Sequence, residues 1–128
     1  MDGLTRVEYP DGSYVSYDYD TSCRLTKVST AYGDTSYEYD KLDRITRVTD
    51  RNGFATVYEY DKLNRLIREE TIDKDLNVVA KYVYTLGASG ERIKVEELDR
   101  TVEYTYDNLY RLTSETNRIA MQVQLLTL

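Results

Sequence analysis

Residues 58–66 read Tyr58-Glu59-Tyr60-Asp61-Lys62-Leu63-Asn64-Arg65-Leu66, and the same frame stands at four other places. Its paired tyrosines are Tyr17/Tyr19, Tyr37/Tyr39, Tyr58/Tyr60, Tyr82/Tyr84 and Tyr104/Tyr106. The second tyrosines follow one another at steps of 20, 21, 24 and 22 residues. Asp20, Asp40, Asp61 and Asp107 come directly after, and Thr85 is the exception. An arginine then precedes Leu or Ile: Arg24-Leu25, Arg44-Ile45, Arg65-Leu66, Arg92-Ile93 and Arg111-Leu112. Ten of the 14 tyrosines lie in this frame. A period of this size marks a chain built from one supersecondary unit repeated five times.

Between each Arg-Leu and the next Tyr-x-Tyr lie two β-prone runs separated by turn residues, such as Asn52-Gly53, Tyr32-Gly33-Asp34 and Pro10-Asp11-Gly12. Each unit therefore reads as strand, turn, strand. The expected fold is all-β: about five antiparallel hairpins in one long twisted sheet, ten or eleven strands, and no helix longer than two turns. Taking Asn52-Gly53 as a two-residue loop pairs Val48 with Val57, Arg47 with Tyr58 and Ile45 with Tyr60. The same register in the other units faces Leu4 with Tyr19, Leu25 with Tyr39, Leu66 with Tyr84 and Ile93 with Tyr106. It leaves loops at Pro10 to Ser13, Ala31 to Gly33, Lys74 to Leu76 and Asp99-Arg100. A cation then faces the first tyrosine in four units: Arg6 with Tyr17, Lys27 with Tyr37, Arg47 with Tyr58 and Arg68 with Tyr82; Val95 faces Tyr104 in the fifth. Cation–π attraction and stem packing are the expected mechanism.

Asp43, Asn64 and Gly90 stand where a tight corner between hairpins needs positive φ, and Cys23 and Tyr110 suit that conformation poorly. Leu42, Leu63 and Leu109 are expected to pin these corners onto the sheet. After Asn117 the frame stops. Residues 1–117 are therefore read as the hairpin array, and 118–128, with Ile119, Met121, Val123 and Leu125 alternating with polar residues, as a further strand or cap.

The formal charge of −6 comes without a run of Lys or Arg, which speaks against a nucleic-acid partner. No stretch has the roughly 20 apolar residues of a spanning helix. Met1-Asp2-Gly3-Leu4 has no basic or apolar leader pattern. His is absent and Cys23 is the lone cysteine, so a disulfide framework, a thiolate zinc site and a His-activated nucleophile are excluded. Fourteen tyrosines suit a thin sheet, since each can bury a ring and keep its hydroxyl wet.

At these residues the chain resembles the Rhs/YD-repeat family, whose units read roughly Tyr-x-Tyr-Asp-x-x-Gly-Arg-Leu. The resemblance covers residues 4 to about 116. It implies a long antiparallel sheet that spirals into a hollow shell. In bacterial Rhs proteins and insecticidal toxin complexes that shell encloses a toxic C-terminal domain; in teneurins a related shell takes part in adhesion. Such shells use many more than five repeats, and this chain lacks a toxin domain and a shell-closing segment with self-cleaving aspartates. The reading is an excised or truncated wall segment, secreted or at the cell surface as part of a larger bacterial protein.

Three chemistries remain to be weighed. The carboxylate pairs Asp18/Asp20, Glu38/Asp40 and Glu59/Asp61 have the spacing for calcium or acid–base work. They recur in three of the five units, which marks sheet polarity and corner caps; a catalytic pair is singular. The Tyr/Arg stripe is a conceivable stacking platform for sugars or bases, yet its repetition also favours packing within the sheet. Neither a Gly-x-Ser-x-Gly elbow nor a phosphate-binding glycine loop is present. The expectation is thus a structural segment with no catalytic residue, metal or cofactor. The alternative is an adhesion module that contacts carbohydrate or protein through its tyrosines. Exposed sheet edges or the tyrosine side are expected to support self-association, and in a full-length parent the partner would be an enclosed polypeptide.

Overall fold

The computed structural model describes residues 5–119. Its strands are β1 (Arg6–Glu8), β2 (Tyr14–Tyr19), β3 (Leu25–Thr30), β4 (Gly33–Tyr39), β5 (Ile45–Thr49), β6 (Ala55–Tyr60), β7 (Leu66–Ile72), β8 (Val78–Leu86), β9 (Arg92–Glu97), β10 (Arg100–Tyr106) and β11 (Leu112–Ile119). They form a single antiparallel sheet in sequence order, each bonded to its neighbour in the chain. No helix occurs among the described residues. Two compact units divide the chain, one of Met1–Tyr58 with Thr71–Val78, the other of Glu59–Glu70 with Val79–Leu128.

One turn design makes eight of the connections. In Tyr9–Ser13, Asp20–Arg24, Asp40–Arg44, Asp50–Phe54, Asp61–Arg65, Asp73–Asn77, Gly87–Glu91 and Asp107–Arg111, the first residue's N–H donates to the fifth residue's carbonyl. The fourth residue's N–H returns to the first residue's carbonyl. That fourth residue has positive φ throughout: Gly12, Cys23, Asp43, Gly53, Asn64, Leu76, Gly90 and Tyr110, between 60° and 88°. The design is the three-residue hairpin loop that ends in a left-handed residue. Cys23 and Tyr110 do adopt the conformation that their side chains disfavour, because the loop's two backbone bonds hold them there. Leu76, 76% exposed, bears the same strain with little packing to offset it. Leu76→Gly is therefore expected to raise stability by about 0.5–1 kcal/mol, read as a higher denaturant midpoint in urea.

The register departs from the sequence expectation by one residue at β1–β2, β3–β4 and β5–β6, and by two at β9–β10. Asn52-Gly53 is not a two-residue loop; Arg51, Asn52 and Gly53 form a three-residue one, so Arg47 pairs with Val57 and Val48 with Thr56. Arg6 pairs with Ser16 and Lys27 with Ser36, where the tyrosine beside each was expected. Val95 pairs with Val102, not Tyr104. A one-residue slip moves every side chain to the other face, so Arg47 and Tyr58 lie on opposite faces, and the expected facing of cation and first tyrosine fails at Arg6, Lys27 and Arg47. The loop Lys74 to Leu76 lies where it was expected, within the Asp73–Asn77 turn.

Bulges keep the apolar residues together. Tyr17 pairs with Val28 and Tyr19 with Leu25, so Thr26 is the extra residue; Tyr37 with Val48 and Tyr39 with Ile45 leave Thr46 extra. An extra residue reverses the alternation, and Leu25 with Val28, or Ile45 with Val48, therefore share the tyrosine side although three positions apart. The other side carries cross-strand ion pairs: Lys27 Nζ reaches Asp18 Oδ2 at 3.4 Å and Arg47 Nε reaches Glu38 Oε2 at 3.6 Å. In the second unit Tyr84 pairs with Val95, Val95 with Val102 and Val102 with Asn117, a row across β8 to β11.

Burial is thin. Only Ala55, Val95 and Val102 are buried among the described residues, as a single layer without a covering layer requires. Leu42, Leu63 and Leu109 are 65%, 69% and 71% exposed, so they do not pin the corners. They sit at the third position of the turn, which points away from the strands it joins.

Candidate functional site

The repeated sequence frame assembles at the corners. In Asp20–Arg24 one aspartate oxygen, Oδ1, accepts the N–H of Ser22 at 2.9 Å and of Arg24 at 3.0 Å, while Oδ2 accepts Arg24 Nε at 2.8 Å. The Asp40–Arg44, Asp61–Arg65 and Asp107–Arg111 corners repeat all three bonds, with the Nε distances at 2.8, 2.7 and 2.6 Å. The carboxylate thus satisfies two backbone donors and one guanidinium from within its own loop. Two hairpin tips borrow the device: Asp50 accepts Asn52 and Phe54 N–H, and Asp73 accepts Asp75 and Asn77 N–H. Asn77 Nδ2 stands in for the guanidinium on Asp73.

The guanidinium has a second task. Arg24 Nη1 donates to the Asp40 carbonyl at 3.2 Å and to Asp43 Oδ1 at 2.9 Å, and Arg65 Nη1 donates to the Gly87 carbonyl at 2.8 Å. Each such arginine holds its own corner and grips the next one along the chain. Arg24 also lies over the Tyr39 ring, 4.9 Å from its centre, and the Tyr39 hydroxyl donates to the Leu25 carbonyl at 2.6 Å. Tyr106 donates to the Arg92 carbonyl in the same way. The tyrosines Tyr17, Tyr19, Tyr37, Tyr39, Tyr58, Tyr60, Tyr84, Tyr104 and Tyr106 are half-buried, whereas Tyr82 is exposed.

The fourth corner follows another rule. Leu86 pairs with Arg92 as Tyr19 pairs with Leu25, so Tyr84 and Leu86 occupy the two tyrosine places and Gly87 the aspartate place. Arg92, matched with the corner arginines by sequence, instead lies over the Tyr84 ring at 4.3 Å. Glu91 holds the arginine place, and its Oε2 accepts the Ser89 N–H at 3.1 Å. A Cβ on Gly87 would collide with Glu91 Oε1. The carboxylate is the same but enters from the opposite end of the loop. Only a missing Asp after Tyr84 hinted at this in the sequence.

The carboxylate pairs divide between partners. Asp18 faces Lys27 while Asp20 holds Arg24; Glu38 faces Arg47 while Asp40 holds Arg44. Among the described residues no three Asp, Glu or Cys gather as a metal site would need. Cys23 is free and exposed.

Backbone bonds set the titration of the corners. The N–H of the arginine four residues on holds Asp20, Asp61 and Asp107 below the ordinary carboxylate pKa, and that of Asn77 does so for Asp73. At Asp40 desolvation pushes upward, and the bonds from Arg44 and Leu42 outweigh it. A depressed folded pKa contributes stability that is present above the unfolded value and lost as pH falls through the folded one. Melting temperature is thus expected to fall below about pH 4, and Asp61→Asn is expected to flatten that fall. A melting curve equally steep in the variant and the parent would contradict the assignment.

Residues 39–74 match the RHS Repeat family model. Among curated proteins none matches the sequence significantly. Solved structures do share the fold. The Tc holotoxin pore of Photorhabdus luminescens, carrying a TccC3 variant, superposes with a TM-score of 0.77 at 22% identity over 88% of this chain and 6% of that one. TcdB2–TccC3 without its hypervariable C-terminal region gives 0.71 at 22% identity over 81% and 6%. The TcdB2–TccC3–Cdc42 structure gives 0.60 at 19% over 84% and 7%. This chain spans only 6–7% of the length of those chains. Residues 39–74 are thus similar to the RHS repeat, and the chain shares the fold of these toxin-complex structures.

Proposed function

We propose that this chain is a non-catalytic wall segment of an encapsulating or cell-surface β-shell. The observation that carries the reading is the recurrence of one clasp at Asp20–Arg24, Asp40–Arg44, Asp61–Arg65 and Asp107–Arg111. A reactive centre concentrates perturbed groups at one place, and here the strongest polar constellation is spent identically on backbone geometry at each of these corners. In a larger secreted or surface protein such a wall would face an enclosed polypeptide. This partner class follows from the resemblance to the Rhs/YD-repeat family, and the fold shared with the TcdB2–TccC3 structures is consistent with a sheet of that kind.

The second reading is an adhesion module, favoured by one feature: the Tyr82 and Tyr84 rings lie stacked, 6.5 Å apart and 9° from parallel, with Tyr82 exposed. Such a pair is a platform on which a sugar ring could stack. A glycan array with the purified chain separates the two. A wall segment is expected to give no selective signal that free sugar competes away, and a competable signal abolished by Tyr82→Ala would establish the adhesion module instead.

A further inference from the structure

An asparagine can react with its own backbone where the next residue has no side chain to shield its nitrogen and the side-chain amide is free and wet. The chain has five asparagines, Asn52, Asn64, Asn77, Asn108 and Asn117, and only Asn52 precedes a glycine. Asn52 is exposed at the third place of the Asp50–Phe54 tip, and its side chain makes no hydrogen bond among the described residues. At the neighbouring tip, by contrast, Asn77 Nδ2 is tied to Asp73 Oδ2 at 3.3 Å.

Asp11-Gly12 fills the same two places of the Tyr9–Ser13 tip. There Asp11 Oδ1 accepts Ser13 Oγ at 2.6 Å and Ser13 N–H at 2.9 Å, bonds that hold the carboxyl below its ordinary pKa. A carboxylate offers the neighbouring nitrogen no leaving group, whereas the Asn52 amide can depart as ammonia. What restrains Asn52 is its loop. Gly53 N–H donates to the Asp50 carbonyl at 3.1 Å, and Asp50 Oδ1 accepts Asn52 N–H at 2.8 Å and Phe54 N–H at 3.1 Å. The Gly53 nitrogen must leave its bond before it can attack.

We propose that Asn52 is a modification site, which deamidates spontaneously when the Asp50–Phe54 tip opens and, as isoaspartate, keeps that tip from closing again. Hydroxide takes the Gly53 amide proton, the nitrogen bonds to Asn52 Cγ, and the Cγ–Nδ2 bond breaks to release ammonia. Water then opens the cyclic imide. Cleavage at Cγ gives aspartate; cleavage at the Asn52 carbonyl carbon gives isoaspartate, whose main chain runs through Cβ and Cγ. The extra backbone carbon falls inside the ring closed by the Gly53-to-Asp50 and Asp50-to-Phe54 bonds, so the native turn no longer fits. Its neighbours leave no slack. A Cβ on Gly33 would lie 2.8 Å from Arg51 Cβ, and one on Gly53 would lie 3.2 Å from Lys74 Cβ. Arg51 also lies over the Tyr32 ring, 5.8 Å from its centre. A lengthened loop therefore disturbs the tips on both sides of it.

The test ages the full chain in mildly alkaline buffer and maps its peptides by mass spectrometry, with isoaspartyl methyltransferase as the probe for isoaspartate. Conversion is expected at Asn52, with the other asparagines and Asp11 unchanged. Asp50→Ala removes both side-chain bonds of the loop and is expected to speed the reaction about ten-fold. Asp73→Ala, the same change at the neighbouring tip, is expected to leave the rate near the parent's. The isoaspartate fraction of the aged chain should unfold at lower urea than the fresh chain. Asn52→Asp carries the new charge on a main chain of normal length, so it should match the fresh chain. Conversion at Asn52 no faster than at the other asparagines, aspartate without isoaspartate, or equal rates in the two alanine variants overturns the proposal. So does an isoaspartate fraction as stable as Asn52→Asp.

Discussion

Val102→Asp is expected to unfold the unit formed by residues 59–70 and 79–128. Val102 is 4% exposed and faces Val95, itself 8% exposed, across β9 and β10. A buried carboxylate without a partner costs about 3–5 kcal/mol. A domain's whole stability is only about 5–15 kcal/mol. Here the loss is harder to absorb than in a layered protein, because the described residues bury only Ala55, Val95 and Val102. The milder Val102→Ala should cost about 2 kcal/mol through lost burial and the void left behind. Urea denaturation followed by circular dichroism reads both. An Asp variant with an unshifted midpoint would show that this row does not hold the sheet together.

The strand count, the antiparallel order and the corner positions were legible in the sequence because each is local. An Asp followed by a left-handed residue and an arginine writes a turn within five residues. Register was not legible, because it depends on two features that period-two counting cannot see. The first is the three-residue loop at Arg51, Asn52 and Gly53, which Asn-Gly alone made look like a two-residue one. The second is the bulge at Thr26 and Thr46, where a hydroxyl residue sits between an apolar residue and a cation with no mark of being extra. Together they put Lys27 and Arg47 against carboxylates, not against tyrosine rings. Exposure of Leu42, Leu63 and Leu109 was missed for a different reason. An apolar residue in a repeated frame suggests packing, yet a single layer has nothing above its corners to pack against.

The fourth corner offers the sharpest test of the clasp. Gly87→Asp would build the aspartate found at the other corners, and Gly87 lies outside the left-handed region, so backbone strain does not oppose it. What opposes it is Glu91, whose carboxylate already fills the room where a Cβ would go. The single variant therefore combines a collision with two like charges in one loop and should be markedly less stable than the parent. Glu91→Arg alone removes the acceptor of the Ser89 N–H and brings a guanidinium with no carboxylate to meet it. Together the two changes write Asp-x-x-x-Arg, the spacing of Asp61–Arg65, and the new aspartate could take the N–H groups of residues 89 and 91 as Asp61 takes those of Leu63 and Arg65. A double-mutant cycle by thermal melting should therefore show favourable coupling of about 1–3 kcal/mol, with the double variant at least as stable as the parent. Additive losses would mean that the Gly87–Glu91 corner is held by something other than a reversed clasp. The arginine ladder makes one further demand on the result. Because Arg65 already donates to the Gly87 carbonyl from the preceding corner, the double variant must keep that bond, just as Arg24 reaches the Asp40 carbonyl over an intact clasp.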